Sequence, residues 1–178
     1  MHKEVYRAFE KICSKFDIRG RVLEVGAIPE KLSLLNMPCL KHASEKTGIN
    51  LEGSYKYKDF SIVKGNANLM DCFSGGQFDA VLCNSVLEHD KYFWKTVSEI
   101  KRVTGTGGLI VIGAPGFTKF HTVPLSGAAA VLAVHNFPGD YYRFSPQAFM
   151  EVIFEGLKDV RVISVMSVPR IIGYGIKP

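Results

Sequence analysis

Val5, Ala8, Phe9, Ile12, Cys13 and Phe16 recur at spacings of three and four, which is one apolar face of a helix that Gly20 helps to end. The pattern then changes. Arg21-Val22-Leu23-Glu24-Val25-Gly26 is a short β-rich run closed by glycine, and it reads as a buried strand followed by a sharp turn. From Glu30 to Lys46 the pattern is ambiguous, because Leu32, Leu34 and Leu35 suggest helix while Pro38 interrupts it. Weaker strand signals lie around Gly48-Ile49-Asn50-Leu51 and Ser61-Ile62-Val63.

The second half is more regular. Phe78 to Cys83 reads as a strand, and Asp90 as the N-cap of a helix with Phe93, Val97, Ile100 and Val103 on one face. Gly107-Gly108 makes a turn into Leu109-Ile110-Val111-Ile112, a continuous apolar run of the kind buried on both faces of a parallel sheet. Ser145-Pro146 opens another helix, with Phe149, Val152 and Ile153 inward and Gly156 at its end. Val160 to Met166 is then a strand, and Arg170 to Ile176 reads as its antiparallel partner. Strands alternating with helices predict a doubly wound α/β domain, with a mostly parallel sheet and helices on both faces. One domain covers residues 1–178, with an N-terminal helical segment at 1–19. Residues 115–144 form a connection far beyond the usual ~4–6 residues, read as a lid or acceptor loop.

Composition adds limits. Of 178 residues, 47% are hydrophobic and 22% charged, which fits a globular chain and excludes wholesale disorder. The net charge of +5 is scattered, without a basic run, so no nucleic-acid partner is indicated. Cys13, Cys39, Cys72 and Cys83 have no metal-ligand spacing and read as reduced thiols; no metal is expected. The longest weakly polar stretch, Val123 to Val134, is twelve residues and contains Pro124 and Gly127, whereas a span needs about 20. The expected location is cytoplasmic.

In an open α/β sheet, ligands bind beyond the carboxyl ends of the strands. That points to Gly26 and Ala27 after the first strand, Asn50 to Glu52 after the second, Asn66 and Ala67 after the third, and Asn84 and Ser85 after the fourth. Small and amide residues suit close backbone approach and neutral hydrogen bonding. A phosphate cofactor fits poorly: there is no GxGxxG or P-loop, and Pro29 removes an N–H that a pyrophosphate cradle would use. A nicotinamide dehydrogenase is disfavoured on the same ground.

Val22-Leu23-Glu24-Val25-Gly26-Ala27 resembles the first motif of the class I S-adenosylmethionine-dependent methyltransferases. Phe78 to His89, which ends Val86-Leu87-Glu88-His89, is similar to the fourth motif of their type 11 subgroup. Gly107-Gly108-Leu109-Ile110-Val111 resembles the turn and strand that follow. His135 to Phe144, with Asp140-Tyr141-Tyr142-Arg143, is similar to a segment of members near glycosyl-transfer pathways. The resemblance implies a Rossmann-like fold, S-adenosylmethionine as cofactor, and methyl transfer to a small or saccharide-like acceptor at oxygen, with a homodimer as a further possibility. It implies that Glu24 and Gly26 face the methionine part and that Asn50 or Glu52 faces the ribose. Asn66 and Ala67 would lie at the adenine, and Asn84 and Ser85 on the floor of the transfer site. Departures stand beside these: Ile28, Pro29 and Glu30 replace the family's further glycines, and Asn50 and Asn66 replace acids. They motivate a rival, a methyltransferase fold retained as a binding or regulatory module.

A base is needed only if the acceptor is protonated. His89, at a helix start, is the candidate, with a capping role for Glu88 and His89 as the alternative. His135, Asp140, Tyr141 and Arg143 form the candidate acceptor site, set against an internal Asp140–Arg143 bridge that fixes the loop. His121 reads as a surface or structural residue. Gly127 to Val134 is open to three readings, a short helix closing the pocket, a membrane-surface contact or a dimer contact, with the pocket-closing helix favoured.

Overall fold

The opening helix forms where the periodicity places it. In the computed structural model, which describes residues 1–119, 129–130, 139–166 and 169–178, α1 spans Lys3–Cys13. The His2 side chain accepts from the Glu4 N–H at its start, and Val5, Phe9, Ile12 and Cys13 are buried. β1 (Arg21–Val25) alternates as a pleated strand must: Val22 faces the α1 layer, while Leu23 and Val25 face the opposite layer. Gly26 follows at φ +77°, a conformation that a side chain would resist. The ambiguous stretch resolves into two 3₁₀ turns, Leu34–Asn36 and Pro38–Leu40, with Pro38 starting the second instead of breaking a helix.

β2 (Glu45–Asn50) starts earlier than its apolar core suggests and stops short of Leu51, which is exposed. β3 (Tyr55–Tyr57) and β4 (Phe60–Lys64) form a hairpin of which only the second strand is legible in the sequence. β5 (Phe78–Asn84) leads to α2 (Phe93–Val103). Tyr92, not Asp90, is the N-cap; Asp90 sits two residues earlier, and its carboxylate accepts from the Tyr92 N–H at 2.9 Å. β6 (Thr104–Pro115) already contains Gly107-Gly108. The pair makes an irregularity inside a strand rather than a turn before it, held by backbone bonds to Lys177.

β7 (Thr118–Lys119) and β8 (Ala129–Ala130) pair antiparallel, so residues 129–130 of the expected pocket-closing helix are strand. His121, His135 and the rest of that segment lie outside the described residues. Ser145 caps α3 (Pro146–Ala148) by accepting from the Ala148 N–H at 3.0 Å. The helix then widens to a π turn, Phe149–Ile153, closed by Phe154 N–H to Phe149 C=O. That wider turn explains a correction: Phe149 and Ile153 are buried as expected, but Val152 is rotated outward and exposed. β9 (Lys158–Val165) and β10 (Arg170–Ile176) complete the sheet.

The eight strands run in the order β3-β4-β2-β1-β5-β6-β10-β9. β4, β2, β1, β5 and β6 are parallel, and β3 and β10 are antiparallel to their neighbours, so the expected antiparallel last strand is present. α1 and the 3₁₀ turns cover one face; α2 and the π turn cover the other. From β1 the chain moves outward to β2 and β4, then returns to β5 on the other side of β1. This is a topological switch point, where a crevice opens at the strand ends. Among the described residues no helix is long and apolar enough to cross a membrane.

Candidate functional site

At that switch point lies a cavity of about 440 Å³, lined at the carboxyl ends of β1, β2, β4 and β5. Gly26 forms one wall. A Cβ there would collide with Val86 Cγ2, so the glycine is required both by its positive φ and by the closeness of the β5 loop. Asn50 lines the cavity but is committed to the backbone at both ends of its amide. Nδ2 donates to Ala27 C=O at 2.8 Å, and Oδ1 accepts from Glu52 N–H at 3.2 Å. It thereby ties the β1 and β2 loops together.

Asn66, Ala67, Ser85, His89 and Tyr141 also line the cavity. Six other candidates do not: Glu24, Ala27, Glu52, Asn84, Asp140 and Arg143. Glu24 is 4% exposed and turns into the 3₁₀ segment, where it accepts from Ser33 Oγ at 2.5 Å and from Leu34 N–H at 3.2 Å. Burial pushes its carboxyl up to about 7, against the downward pull of these bonds. Ala27 is buried in the α1-side core. Glu52 is exposed away from the cavity. Asn84 points to the α1 side: its Nδ2 donates to Ser85 Oγ at 3.1 Å, and its buried Oδ1 has no hydrogen-bond partner among the described residues. The strand's two-residue period explains Glu24, Ala27 and Asn84, since a residue at a strand end can face either layer.

Ser85 holds φ +56° without being glycine, a strained conformation of the kind found at ligand sites. Its hydroxyl accepts from Arg170 Nη2 at 2.6 Å. Arg170 also stands 3.7 Å from Glu88, whose carboxylate is fully buried with no hydrogen-bond partner among the described residues. Burial raises the Glu88 carboxyl above its ordinary range, while Arg170 and His89 pull it down. His89 Nδ1 lies 3.1 Å from Gly139 C=O, and Nε2 is 4.0 Å from Glu88. The ring therefore clasps residue 139 to the β5 loop. Tyr141 and Tyr142 N–H groups both donate to Glu88 C=O, which strengthens that attachment.

Asp140 and Arg143 form a two-point pair, at 2.6 and 2.5 Å, with the Asp140 carboxylate buried. The bridge that fixes the loop is thus present. Tyr142 stacks edge-on against Phe93, anchoring the same segment in the α2-side core.

Several cavity residues escaped the sequence reading, Asn68 and Asp90 among them. Asn68 and Asp90 line it together, joined by Nδ2 to Oδ2 at 2.7 Å across 22 positions of sequence. Arg170, outside the cavity lining, is a further omission: it reaches Ser85 only because β10 lies beside β6 in the sheet. A capping-type Asp just after a strand was the sole local signal for Asp90.

Comparisons with known proteins place this geometry. A family model described as a methyltransferase domain matches residues 35–112. Among curated proteins no sequence match is found. Among solved structures, the N-methyltransferase NodS from Bradyrhizobium japonicum is similar, with TM-score 0.69 and 13% identity over 99% of this chain and 96% of that one. Phosphoethanolamine N-methyltransferase 2 of Haemonchus contortus, in complex with phosphomonomethylethanolamine and S-adenosylhomocysteine, gives TM-score 0.72 and 14% identity. That match covers 99% of this chain but 53% of the Haemonchus protein. YcgJ from Bacillus subtilis gives 0.66 and 13%, over 97% and 98%. The chain shares the Rossmann-like fold of these N-methyltransferases, and its segment 35–112 matches the methyltransferase domain family.

Proposed function

We propose that this chain is an S-adenosylmethionine-dependent methyltransferase whose cofactor occupies the switch-point cavity. The observation that carries the reading is the cavity itself: about 440 Å³ beside a positive-φ glycine and lined by neutral amides. That volume is within the usual range for small-molecule sites. Gly26 would let the backbone approach the ligand, and Asn66 and Asn68 would meet a neutral heteroaromatic ring. Leu51 and Ala67 supply apolar surface. When bound, the cofactor supplies an electrophilic methyl group on a cationic sulfur.

The chain's part is to hold the acceptor in line and to exclude water. Ser85, His89 and Tyr141 sit at the cavity's acceptor side. The Asp140–Arg143 pair and the His89–Gly139 contact keep residues 139–143 over it. His89, with Nδ1 directed at a carbonyl, would be protonated there and would take an acceptor proton at Nε2, beside Glu88. We assign residues 115–144, His135 included, to acceptor recognition, and the acceptor to small or saccharide-like molecules methylated at oxygen in the cytoplasm. The two similar enzymes named above are N-methyltransferases, so a panel of hydroxyl and amine acceptors decides the atom.

S-Adenosylhomocysteine at one hundred times its dissociation constant is expected to stabilise the fold by about 2.7 kcal/mol, read as a rise in melting temperature. No shift and no calorimetric heat at millimolar ligand would overturn the reading. Asn50→Ala is expected to weaken S-adenosylhomocysteine roughly tenfold by releasing the β1 and β2 loops from each other. Glu52→Ala should leave the affinity within about twofold, because its side chain is outside the cavity. The opposite ranking in calorimetry would give Glu52 the ribose contact.

A second reading has one observation in its favour. With the Asn50 amide engaged at both ends and Glu52 turned away, no acid faces the cavity at the end of β2. A module that binds cofactor without turnover would suit this. Cofactor binding with no methyl transfer across the acceptor panel would establish it.

A further inference from the structure

Ser85 holds φ +56° on the cavity wall, a backbone setting that glycine adopts freely and serine does not. The residue after it depends on that turn. Val86 also lines the cavity, and its Cγ2 occupies the space that a Cβ on Gly26 would need. The conformation of Ser85 therefore sets how closely the β5 loop approaches the β1 loop.

A strained backbone persists only where its surroundings over-determine it. Here the restraints come from two different strands. The Ser85 N–H donates to Gly113 C=O on β6 at 3.0 Å, which fixes the start of the turn. The Ser85 hydroxyl accepts from Arg170 Nη2 at 2.6 Å and from Asn84 Nδ2 at 3.1 Å. Asn84 is the preceding residue, so Arg170 is the long-range anchor of the side chain. It comes from β10, one strand further out than β6, and its side chain is only 16% exposed. Through Nη1 the same guanidinium stands 3.7 Å from the Glu88 carboxylate, three residues beyond Ser85. One buried cation thus grips both ends of the segment 85–88, by a charge-assisted hydrogen bond at one end and an ion pair at the other.

We infer that Arg170 is a positioning residue: it holds Ser85 in its left-handed conformation and so keeps Val86 against the Gly26 turn in the unliganded protein. The inference rests on the cofactor reading for the identity of the ligand. Without this grip Ser85 relaxes toward negative φ, and a ligand binds only the fraction of molecules in which the turn is restored. Affinity falls in proportion to that fraction. Ser85→Gly removes the strain, and with it the need for Arg170, because glycine takes positive φ at no steric cost.

Calorimetric titration with S-adenosylhomocysteine across a Ser85 and Arg170 mutant cycle tests this. Arg170→Ala is expected to weaken binding roughly tenfold, or about 1.4 kcal/mol, within the range stored at one strained residue. Ser85→Ala keeps the Cβ, loses the acceptor, and should weaken binding by a similar factor. Ser85→Gly should stay within about threefold of wild type, and adding Arg170→Ala to it should cost no more than about twofold further. An arginine that only braces the sheet would show no such rescue. Where the buried carboxylate left behind prevents Arg170→Ala from folding, Glu88→Gln is combined with it, with Glu88→Gln alone as the reference. Ser85→Ala against Ser85→Gly is decisive with Arg170 intact. Wild-type affinity in Arg170→Ala, or an equal loss from Arg170→Ala with and without Ser85→Gly, overturns the inference. So does a loss in Ser85→Gly that matches Ser85→Ala, since the hydroxyl would then meet the ligand itself. Each of these leaves the cofactor reading standing, whereas failure of wild type to bind overturns both.

Discussion

Gly26→Val is expected to lose S-adenosylhomocysteine binding entirely and, in addition, to lower the unfolding free energy by about 3 kcal/mol or more. Two costs add. A β-branched residue is strongly disfavoured at φ +77°, and its Cβ would meet Val86 Cγ2 before any ligand arrives. For a domain of this size the loss corresponds to a fall in melting temperature of roughly 10 °C. The local motif predicts only that a side chain would crowd a ligand and leave the fold alone. The position of Val86, sixty residues away in sequence, adds the second penalty. Denaturant unfolding and calorimetry on the same preparation check both halves. A Gly26→Val protein with wild-type stability would mean that the β1 turn does not need its left-handed conformation, and retained binding would place the ligand elsewhere.

Glu24→Gln is expected to change the pH dependence of stability by up to about 3 kcal/mol. The folded carboxyl sits at about 7, raised by burial from an ordinary value of 4.5. Between those values the folded protein holds a proton that the unfolded chain has released. The favourable contribution is therefore complete below pH 4.5 and is lost as the pH rises through 7. Glutamine does not ionise, and it keeps one acceptor oxygen where Glu24 has two, so it serves either Ser33 and Leu35 or Leu34; that loss is the same at every pH. The variant should stand lowest relative to wild type near pH 4 and should gain on wild type progressively up to pH 8. Unfolding curves at four or five pH values, taken as differences between the proteins, cancel the other titrating groups. A difference that stays constant with pH would show that Glu24 titrates normally and is not sealed under the 3₁₀ turns.

Glu24 also shows how far a motif reaches. Its place in Val22-Leu23-Glu24-Val25-Gly26 suggests a ligand contact, yet the three residues around Ser33 consume its carboxylate. No helix follows β1 here to leave it free, because Pro38 and the segment before it fold as 3₁₀ turns. Asp90 errs in the other direction. Locally it is a cap for α2; in space it is the partner of Asn68, on the cavity wall. His89 lines the cavity, and the position of its ring is set by Gly139, fifty residues on, and by the buried Glu88.

The sequence by itself determined the strands whose side chains must be apolar on both faces, β1, β5 and β6, and the helices whose apolar stripe has a 3.6-residue period, α1 and α2. It also determined that the chemistry gathers at the strand ends, because alternation of strand and helix dictates a parallel sheet with its crevice there. Only the tertiary structure decided which strand-end side chains face the cavity. The face of a residue beyond the last ladder bond is set by neighbouring loops, not by the strand's own period: Asn84 turned toward Phe9, while Ser85, one residue later, turned into the cavity on a left-handed backbone. Likewise Arg170 and Asn68 carry no local mark of function. They belong to the site because sheet order and an ion-like network bring distant residues together, and those contacts exist only once the sheet has closed around β1.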